Sequence, residues 1–158
     1  MDWYVRAFLK ASLSWLAAGV SLGVAMAAHP VWTVYRLVHM HMLLLGFVTM
    51  MIYGVAYHVI PRFAGFPIHS RRAAVAHWWI SNAGLAMMAT GFAIRVHDAT
   101  AGTIVLASGG TLSALGAYTF VYVIWRTIDG PHALREATRR AREATLGTRG
   151  AALPVRQG

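Results

Sequence analysis

The sequence predicts an all-α fold, an integral membrane four-helix bundle with both termini cytoplasmic, and three observations support this fold class. Hydrophobic residues make up 58% of the chain and charged residues only 12%, whereas soluble domains have roughly 25% charged residues. Lys and Arg are unevenly divided between the two ends of the predicted bundle. Four apolar stretches are each long enough to cross ~30 Å of hydrocarbon, which takes about 20 helical residues. They lie near residues 7–28, 37–60, 73–95 and 102–125.

The segments between these stretches contain the residues at which we expect the helices to stop. "AAHPVWTVYR" follows the first stretch, "PRFAGFPIHSRR" the second and "RVHDATAG" the third, and each contains proline or glycine. The Ala-x-Ala of "VAMAAHP" is typical of signal-peptide cleavage sites, but the apolar run before it exceeds the usual length of about 7–15 residues and predicts a retained helix. We assign residues 1–128 to a transmembrane domain and 129–158 to a basic cytoplasmic tail, helical at first and then frayed.

The orientation follows from the positions of the 14 Lys and Arg residues. Two of them, Arg36 and Arg95, fall on one side of the predicted membrane. The other twelve fall on the opposite side: Arg6, Lys10, Arg62, Arg71, Arg72 and seven arginines from Arg126 to Arg156. The second side is therefore expected to face the cytoplasm, in a multi-pass protein of the bacterial inner membrane. The charge of +9 favours attraction to anionic lipid, not to nucleic acid.

Histidine and methionine are the abundant candidate ligands, with eight of each, because the chain has no cysteine for disulfides or thiolate sites. His29, His39, His41 and His97 fall on the outer side, and His58, His69 and His77 on the cytoplasmic side. At ~1.5 Å rise per residue, about 28 Å of helix separates His39 from His58, so the two cannot share one small ion.

The second predicted helix has two distinct faces when each residue turns by ~100°. The direction of His39 also holds Gly46, Met50, Tyr53, Tyr57 and Pro61, which predicts an inward face where a flat group or a second backbone comes close. The opposite direction holds His41, Leu44, Leu45, Val48, Ile52, Val55 and Val59, which predicts contact with lipid or a neighbouring chain. The small-residue pairs in "GVSLG" at 19–23 and at Gly109/Ser113 indicate close helix packing or dimerisation.

Residues 36–65 resemble the second helix of heme–copper oxidase catalytic subunits, most closely the cbb3-type oxidase and nitric oxide reductase branch. The resemblance rests on His39, then Gly54, then Tyr57 and "VIPR", with a weaker similarity in "HWWISNAG" at 77–84. The pattern also resembles short four-helix proteins known as oxidase subunit I-like. It implies that His39 is an axial ligand of a heme b that is entered from the outer side.

The same resemblance has limits that bear on activity. The chain lacks the later helices that supply the second axial histidine and the copper ligands, and its four apolar stretches contain no Asp or Glu. The resemblance, within these limits, therefore implies a heme-binding protein for one-electron transfer or a respiratory accessory role, not a self-sufficient oxidase. Its expected partners are the lipid bilayer, a second copy of the chain in a homodimer, or respiratory oxidase or reductase subunits.

A heme b needs neutral imidazoles, a flat apolar slot and cations for its propionates. His39 is the first candidate ligand, His97 the best second and His29 the next, with Arg36 and Arg95 as the outer-side cations. The slot candidates are Gly46, Gly54 and Tyr53, His41 is a further candidate ligand, and His58 and His77 are candidates for a second heme or a metal. For each of these histidines, a packing or interfacial role is the alternative.

Two other functions remain open from the sequence. The "HMHM" segment at 39–42 combines imidazole and thioether, which both suit Cu(I), so copper binding or trafficking is one alternative. Successive helical side chains diverge by ~100°, which disfavours a four-ligand site there. A cofactor-free assembly partner is the other alternative.

Overall fold

A computed structural model describes residues 1–151 of the chain, apart from the side chains of 132–135 and 147–151. Within this range all the regular structure is helical, as the sequence predicts. The elements are α1 (Trp3–Ala28), a 3₁₀ segment (Pro30–Tyr35), α2 (Arg36–His41), a π-helical segment (Met42–Thr49), α3 (Met50–Ala64), α4 (Arg71–Arg95), α5 (Ala99–Asp129) and α6 (His132–Ala151). The end of the predicted tail, 152–158, lies outside the described residues.

Within the part of the chain that the structure describes, three helical runs are long and apolar enough to cross a membrane: Trp3–Ala28, Pro30–Ala64 and Ala99–Asp129. This composition supports a lipid bilayer as the environment of the protein. Helix α4 has 25 residues but is less apolar, and it is not among these three candidates.

The second helical run is longer than predicted at both ends. Residues 30–35, expected in a connecting loop, form 3₁₀ turns that lead directly into α2, with Pro30 at the first position, where it needs no backbone donor. Pro61, expected to end the helix, lies inside α3 instead. Proline removes only one donor, and the run ends four residues later at Gly65, whose φ of 72° is the left-handed conformation that caps helices.

Helix α1, the run from Pro30 to Ala64, α4 and α5 are each antiparallel to the next of these elements in sequence. The α1 residues Gly23, Trp15 and Tyr4 contact His39, Gly46 and Tyr57 respectively, so their order runs opposite to that of the second run. One end of the bundle therefore holds the start of α1, the ends of α3 and α5, and the start of α4. Here the Arg71 guanidinium lies 3.7 Å from the Asp2 carboxylate, and the His69 N–H donates to the Thr127 hydroxyl.

The charges divide between these two ends as the sequence indicated. The first end, called the basic end below, carries Arg6, Lys10, Arg62, Arg71, Arg72 and Arg126. The opposite end carries Arg36 and Arg95, at the start of α2 and the end of α4.

Helices α4 and α5 pack along a seam of glycines. A Cβ at Gly91 would lie 2.5 Å from the backbone N of Leu106, and one at Gly109 would lie 2.6 Å from the backbone N of Met88. The buried α5 positions Gly102, Gly109, Gly116 and Val123 recur every seven residues. This spacing keeps one stripe of a helix against its partner, and the missing side chains let the two backbones touch.

Glycines also bring α1 against the second helical run. A Cβ at Gly19 would lie 2.7 Å from the Leu43 side chain, and one at Gly23 would lie 2.8 Å from the His39 ring. The "GVSLG" segment thus makes a contact within the chain. The hydrophobic core lies toward the basic end, around Val5, Phe8, Tyr57, Ala74 and Val123.

Candidate functional site

His39 lies at the end of the bundle opposite the basic end. It faces α1, in agreement with its position on the predicted inward face of the second helix. Its Nδ1 is 2.8 Å from the carbonyl oxygen of Gly19, and its ring lies over Gly23. A carbonyl oxygen only accepts, so Nδ1 must carry the hydrogen and donate it. In a neutral imidazole this leaves a lone pair on Nε2, the form in which histidine binds a metal.

The tightly packed approach of α1 makes this bond available. Gly23 has no side chain to hold the imidazole away, and the partly buried ring fills the space that a Cβ would take. The Gly19 carbonyl lies four residues earlier, one turn along α1. The sequence placed His39 inward, but nothing in it identified a backbone carbonyl as the partner.

His41 is held in a similar way on the other side of the helix. Its Nδ1 lies 2.8 Å from the Leu37 carbonyl oxygen, and its ring centroid lies 4.6 Å from that of Phe92 on α4. The expectation that His41 and Leu45 face lipid or a second chain is wrong, because His41 contacts α4 and Leu45 packs on the core. The rest of that stripe behaves as predicted at Leu44, Val48, Ile52 and Val55, which are exposed.

The π-helical segment accounts for the position of Leu45, whereas His41 lies just before this segment, at the end of α2. In Met42–Thr49 the hydrogen bonds join residues five apart, so each residue turns by less than the 100° assumed for an α-helix. The Thr49 hydroxyl follows the same spacing and donates to the Leu44 carbonyl at 2.8 Å. Leu45, which a uniform helix directs outward, is consequently rotated toward the core.

His97, the predicted second ligand, lies in the turn between α4 and α5. Its Nε2 is 3.2 Å from the Tyr35 hydroxyl, and the residue is exposed. Among the hydrogen bonds and ring contacts of the described residues, none joins His97 to His39. Arg36 and Arg95 are exposed at the same end of the bundle, and His29 is exposed beside Trp32.

Other side chains of the protein occupy the space beside the residues that were expected to line a flat slot. The space beside Gly46 holds the Trp15 side chain, which a Cβ would meet at 2.6 Å, together with Leu85. The space beside Gly54 holds Leu9 and Phe8 from α1. Tyr53 lies further toward the basic end, where its ring packs against Phe8 and Phe120.

His58 and His77 lie in different surroundings, and no contact of the described residues joins them. The Nδ1 of His58 lies 3.0 Å from the Arg62 guanidinium, which also donates to the His58 carbonyl. His77 is fully buried, with its Nδ1 2.9 Å from the Tyr57 hydroxyl. Among the side chains that the structure describes, no three or more of His, Cys, Asp or Glu group closely enough to hold a metal ion.

His77 lies at the centre of an aromatic cluster that sequence reasoning missed. Its ring centroid lies 4.6 Å from that of Tyr53, 4.8 Å from Phe8, and 5.7 Å from both Tyr57 and Phe120. These rings come from α1, α3 and α5, so their convergence on one α4 residue depends on the tertiary structure. The only local signal was His77 itself, in register with Ser81 and Gly84 on one face of α4.

The four side chains of the "HMHM" segment point in different directions. His39 faces α1 and His41 faces α4, while Met40 is 43% exposed and Met42 lies against Gly19. This divergence agrees with the geometric argument against a single four-ligand copper site.

Comparison with known proteins gives no family assignment. No model of a known protein family matches the chain, and no curated protein matches it significantly. The assignment of a function therefore depends on the described residues and on the resemblance within residues 36–65.

Proposed function

We propose that this chain is a membrane-embedded heme b-binding protein in which Nε2 of His39 is an axial ligand. Its role would be one-electron transfer, or an accessory role beside a respiratory oxidase or reductase. The observation that carries the proposal is the 2.8 Å hydrogen bond from His39 Nδ1 to the Gly19 carbonyl oxygen. The resemblance of residues 36–65 to an oxidase helix supplies the identity of the cofactor.

The donor chemistry of His39 fits an axial ligand. A metal-binding histidine nearly always donates its second ring N–H to a carbonyl or carboxylate, which fixes the tautomer and the ring orientation. The Gly19 carbonyl performs this function here, and no described residue forms a hydrogen bond with His39 Nε2. A bound heme b would supply an iron that changes oxidation state by one electron.

The surroundings of His39 indicate how the site would be completed. The spaces beside Gly46 and Gly54 are filled from α1, and His97 is bonded to Tyr35. We therefore propose that the heme lies on the partly exposed flank of His39, with its second ligand from another copy of the chain or a respiratory subunit. Arg36, which begins α2 three residues before His39, is the nearest cation in sequence for a propionate.

The membrane topology is part of the same proposal. We propose that α4 also crosses the bilayer, because it contacts α5 from Ser81 against Gly116 to Arg95 against Gly102. With the basic end facing the cytoplasm, both the N-terminus and the end of α5 are cytoplasmic. His39 then lies near the outer surface of a bacterial inner membrane.

The test is the absorbance spectrum of the full chain purified from membranes of cells supplied with iron. We expect a Soret band and, after reduction, the bands of a b-type heme. His39→Ala should remove these bands. The matched control is His58→Ala, which removes a histidine from the same helical run at the basic end and should leave the bands unchanged.

Two outcomes would refute the proposal. One is a folded, colourless protein, and stoichiometric copper in that preparation would support the copper alternative. The other is a heme spectrum that is the same in wild type and His39→Ala, which would require a different ligand.

A further inference from the structure

The buried surroundings of His77 leave two polar groups without partners. The Tyr57 hydroxyl is bonded to His77 Nδ1, while the Nε2 of the same ring and the Oγ of Ser81 have no hydrogen bond. His77 is 0% exposed and Ser81 7% exposed, so bulk water does not satisfy either group. A buried donor or acceptor left without a partner is strongly disfavoured, which points to an additional bound molecule.

The tautomer of His77 follows from Tyr57. Tyr57 is 2% exposed, and His77 Nδ1 is the one hydrogen-bond partner described for its hydroxyl. In the arrangement in which this hydroxyl donates to Nδ1, the hydrogen of the neutral imidazole is on Nε2. The unsatisfied atom of His77 is then a donor that requires an acceptor.

The two unsatisfied groups lie beside the same space. A Cβ at Gly116 would lie 2.5 Å from Ser81 Oγ and 3.6 Å from Cδ2 of His77, the ring carbon bonded to Nε2. Ser81, but not His77, also lines a small, partly open cavity of about 30 Å³, together with Tyr53 and Ser113. A cavity of this size holds one water molecule, which needs at least two polar partners.

The Tyr57 side of the pair approaches the surface at the basic end. Tyr57 lines an open cleft of about 420 Å³, whose polar residues include Asp2, Tyr4, Arg62 and Arg71. Tyr57 thus borders a cleft open to solvent, and its partner His77 lies near Ser81, which lines the smaller cavity. Ionisable side chains at such a depth are typical of proton pathways in membrane proteins.

We propose that His77 and Ser81 bind an ordered water molecule, and that this water, His77 and Tyr57 form a path for proton exchange with the cleft. A hydronium ion in the cleft gives a proton to Tyr57 Oη and becomes water, Tyr57 gives its own proton to His77 Nδ1, and the Nε2 proton passes to the bound water, which becomes hydronium. The number of protons on Tyr57 and His77 is unchanged, and the reverse sequence restores the first state. The path depends on the fold alone and is independent of heme binding.

The test is nuclear magnetic resonance of the full chain in lipid nanodiscs with ¹⁵N-labelled histidine. We expect a hydrogen on His77 Nε2, a cross-peak from it to a bound water, and measurable exchange of that hydrogen with solvent. Tyr57→Phe should slow the exchange roughly tenfold or more. Tyr53→Phe is the matched control, because Tyr53 also contacts the His77 ring but has no described hydrogen bond to it.

Two further variants test the water site with Tyr57 in place. Ser81→Ala removes one partner of the water, and Gly116→Ala places a methyl group where the water would lie, so both should abolish the water cross-peak. The proposal is overturned if Nε2 lacks a hydrogen, if the wild type shows no water cross-peak, or if Tyr57→Phe exchanges as fast as the wild type. It is also overturned if the cross-peak persists in both water-site variants.

Discussion

The Nδ1 of His39 lies 2.8 Å from the carbonyl oxygen of Gly19, although both residues belong to helices apolar enough to cross a membrane. The Gly19 carbonyl already accepts from the helix backbone, and its second lone pair is available to His39 because α1 approaches so closely. This contact makes an imidazole tolerable in an apolar helix. It satisfies one nitrogen and leaves the other with a lone pair.

The first prediction concerns the space that Gly23 leaves for this imidazole. Gly23→Ala places a methyl group 2.8 Å from Cε1 of His39, so the ring or α1 has to move. We expect a loss of about 1–3 kcal/mol in unfolding free energy and weaker heme binding, measured by denaturant titration and by heme content. Gly110→Ala is the control, because nothing lies within 4 Å of a Cβ there. Equal heme content in the two variants would contradict this role of Gly23.

The second prediction concerns the seam between α4 and α5. Gly91→Ala places a methyl group 2.5 Å from the backbone N of Leu106, and a backbone cannot rotate away as a side chain can. We expect destabilisation by about 2 kcal/mol or more, beyond the gain in helix propensity of up to about 1 kcal/mol. Thermal unfolding in detergent measures the loss. A variant as stable as Gly110→Ala would show that this contact is looser than described.

The third prediction concerns the start of α5. The Asp98 carboxylate accepts hydrogen bonds of 2.9 Å from the backbone N–H groups of Thr100 and Ala101. Asp98→Ala removes this N-cap and should cost about 1 kcal/mol, whereas Asp98→Asn should retain most of the stability. Denaturant titration of the three proteins measures the difference. Equal losses in both variants would assign the effect to charge and not to capping.

The fourth prediction concerns orientation, and it is simple to test because the chain has no cysteine. Phe63→Cys introduces a thiol at a residue that is 88% exposed at the basic end. Ala99→Cys introduces one at an exposed residue of the opposite end. A membrane-impermeant maleimide added to intact spheroplasts should label Ala99→Cys and, after lysis, Phe63→Cys as well. The reverse order would refute cytoplasmic termini.

The sequence predicts most of the helices because their apolar stretches are long. It misplaces the limits of the second run, since a 3₁₀ segment and Pro61 are both compatible with a continuous helix when the hydrogen bonds around them are satisfied. The inward positions of His39, Gly46, Met50 and Tyr57 follow from helical periodicity. Whether an inward glycine adjoins a cofactor or a side chain such as Trp15 is decided by a neighbouring helix, on which periodicity carries no information.

The aromatic cluster around His77 shows the same limit of prediction from sequence. Its surroundings come from Phe8, Tyr57 and Phe120 on three other helices, so no local pattern around residue 77 contains them. The α4–α5 seam, in contrast, has a signal in the sequence, because Gly102, Gly109 and Gly116 recur every seven residues. This spacing is visible in the sequence, whereas the sequence analysis predicts α5 contact only from Gly109 and Ser113.

The π-helical segment Met42–Thr49 divides the second helical run into two halves, and the side-chain directions of each half are set separately. Before the segment, the contact of His39 with α1 fixes the directions of the side chains. After the segment, the contacts of Tyr57 with α1 and α4 fix them. A single-residue deletion within the segment would convert it toward ordinary α-helix and rotate one half relative to the other without shortening either. The length of this segment therefore determines how two otherwise intact half-helices are aligned.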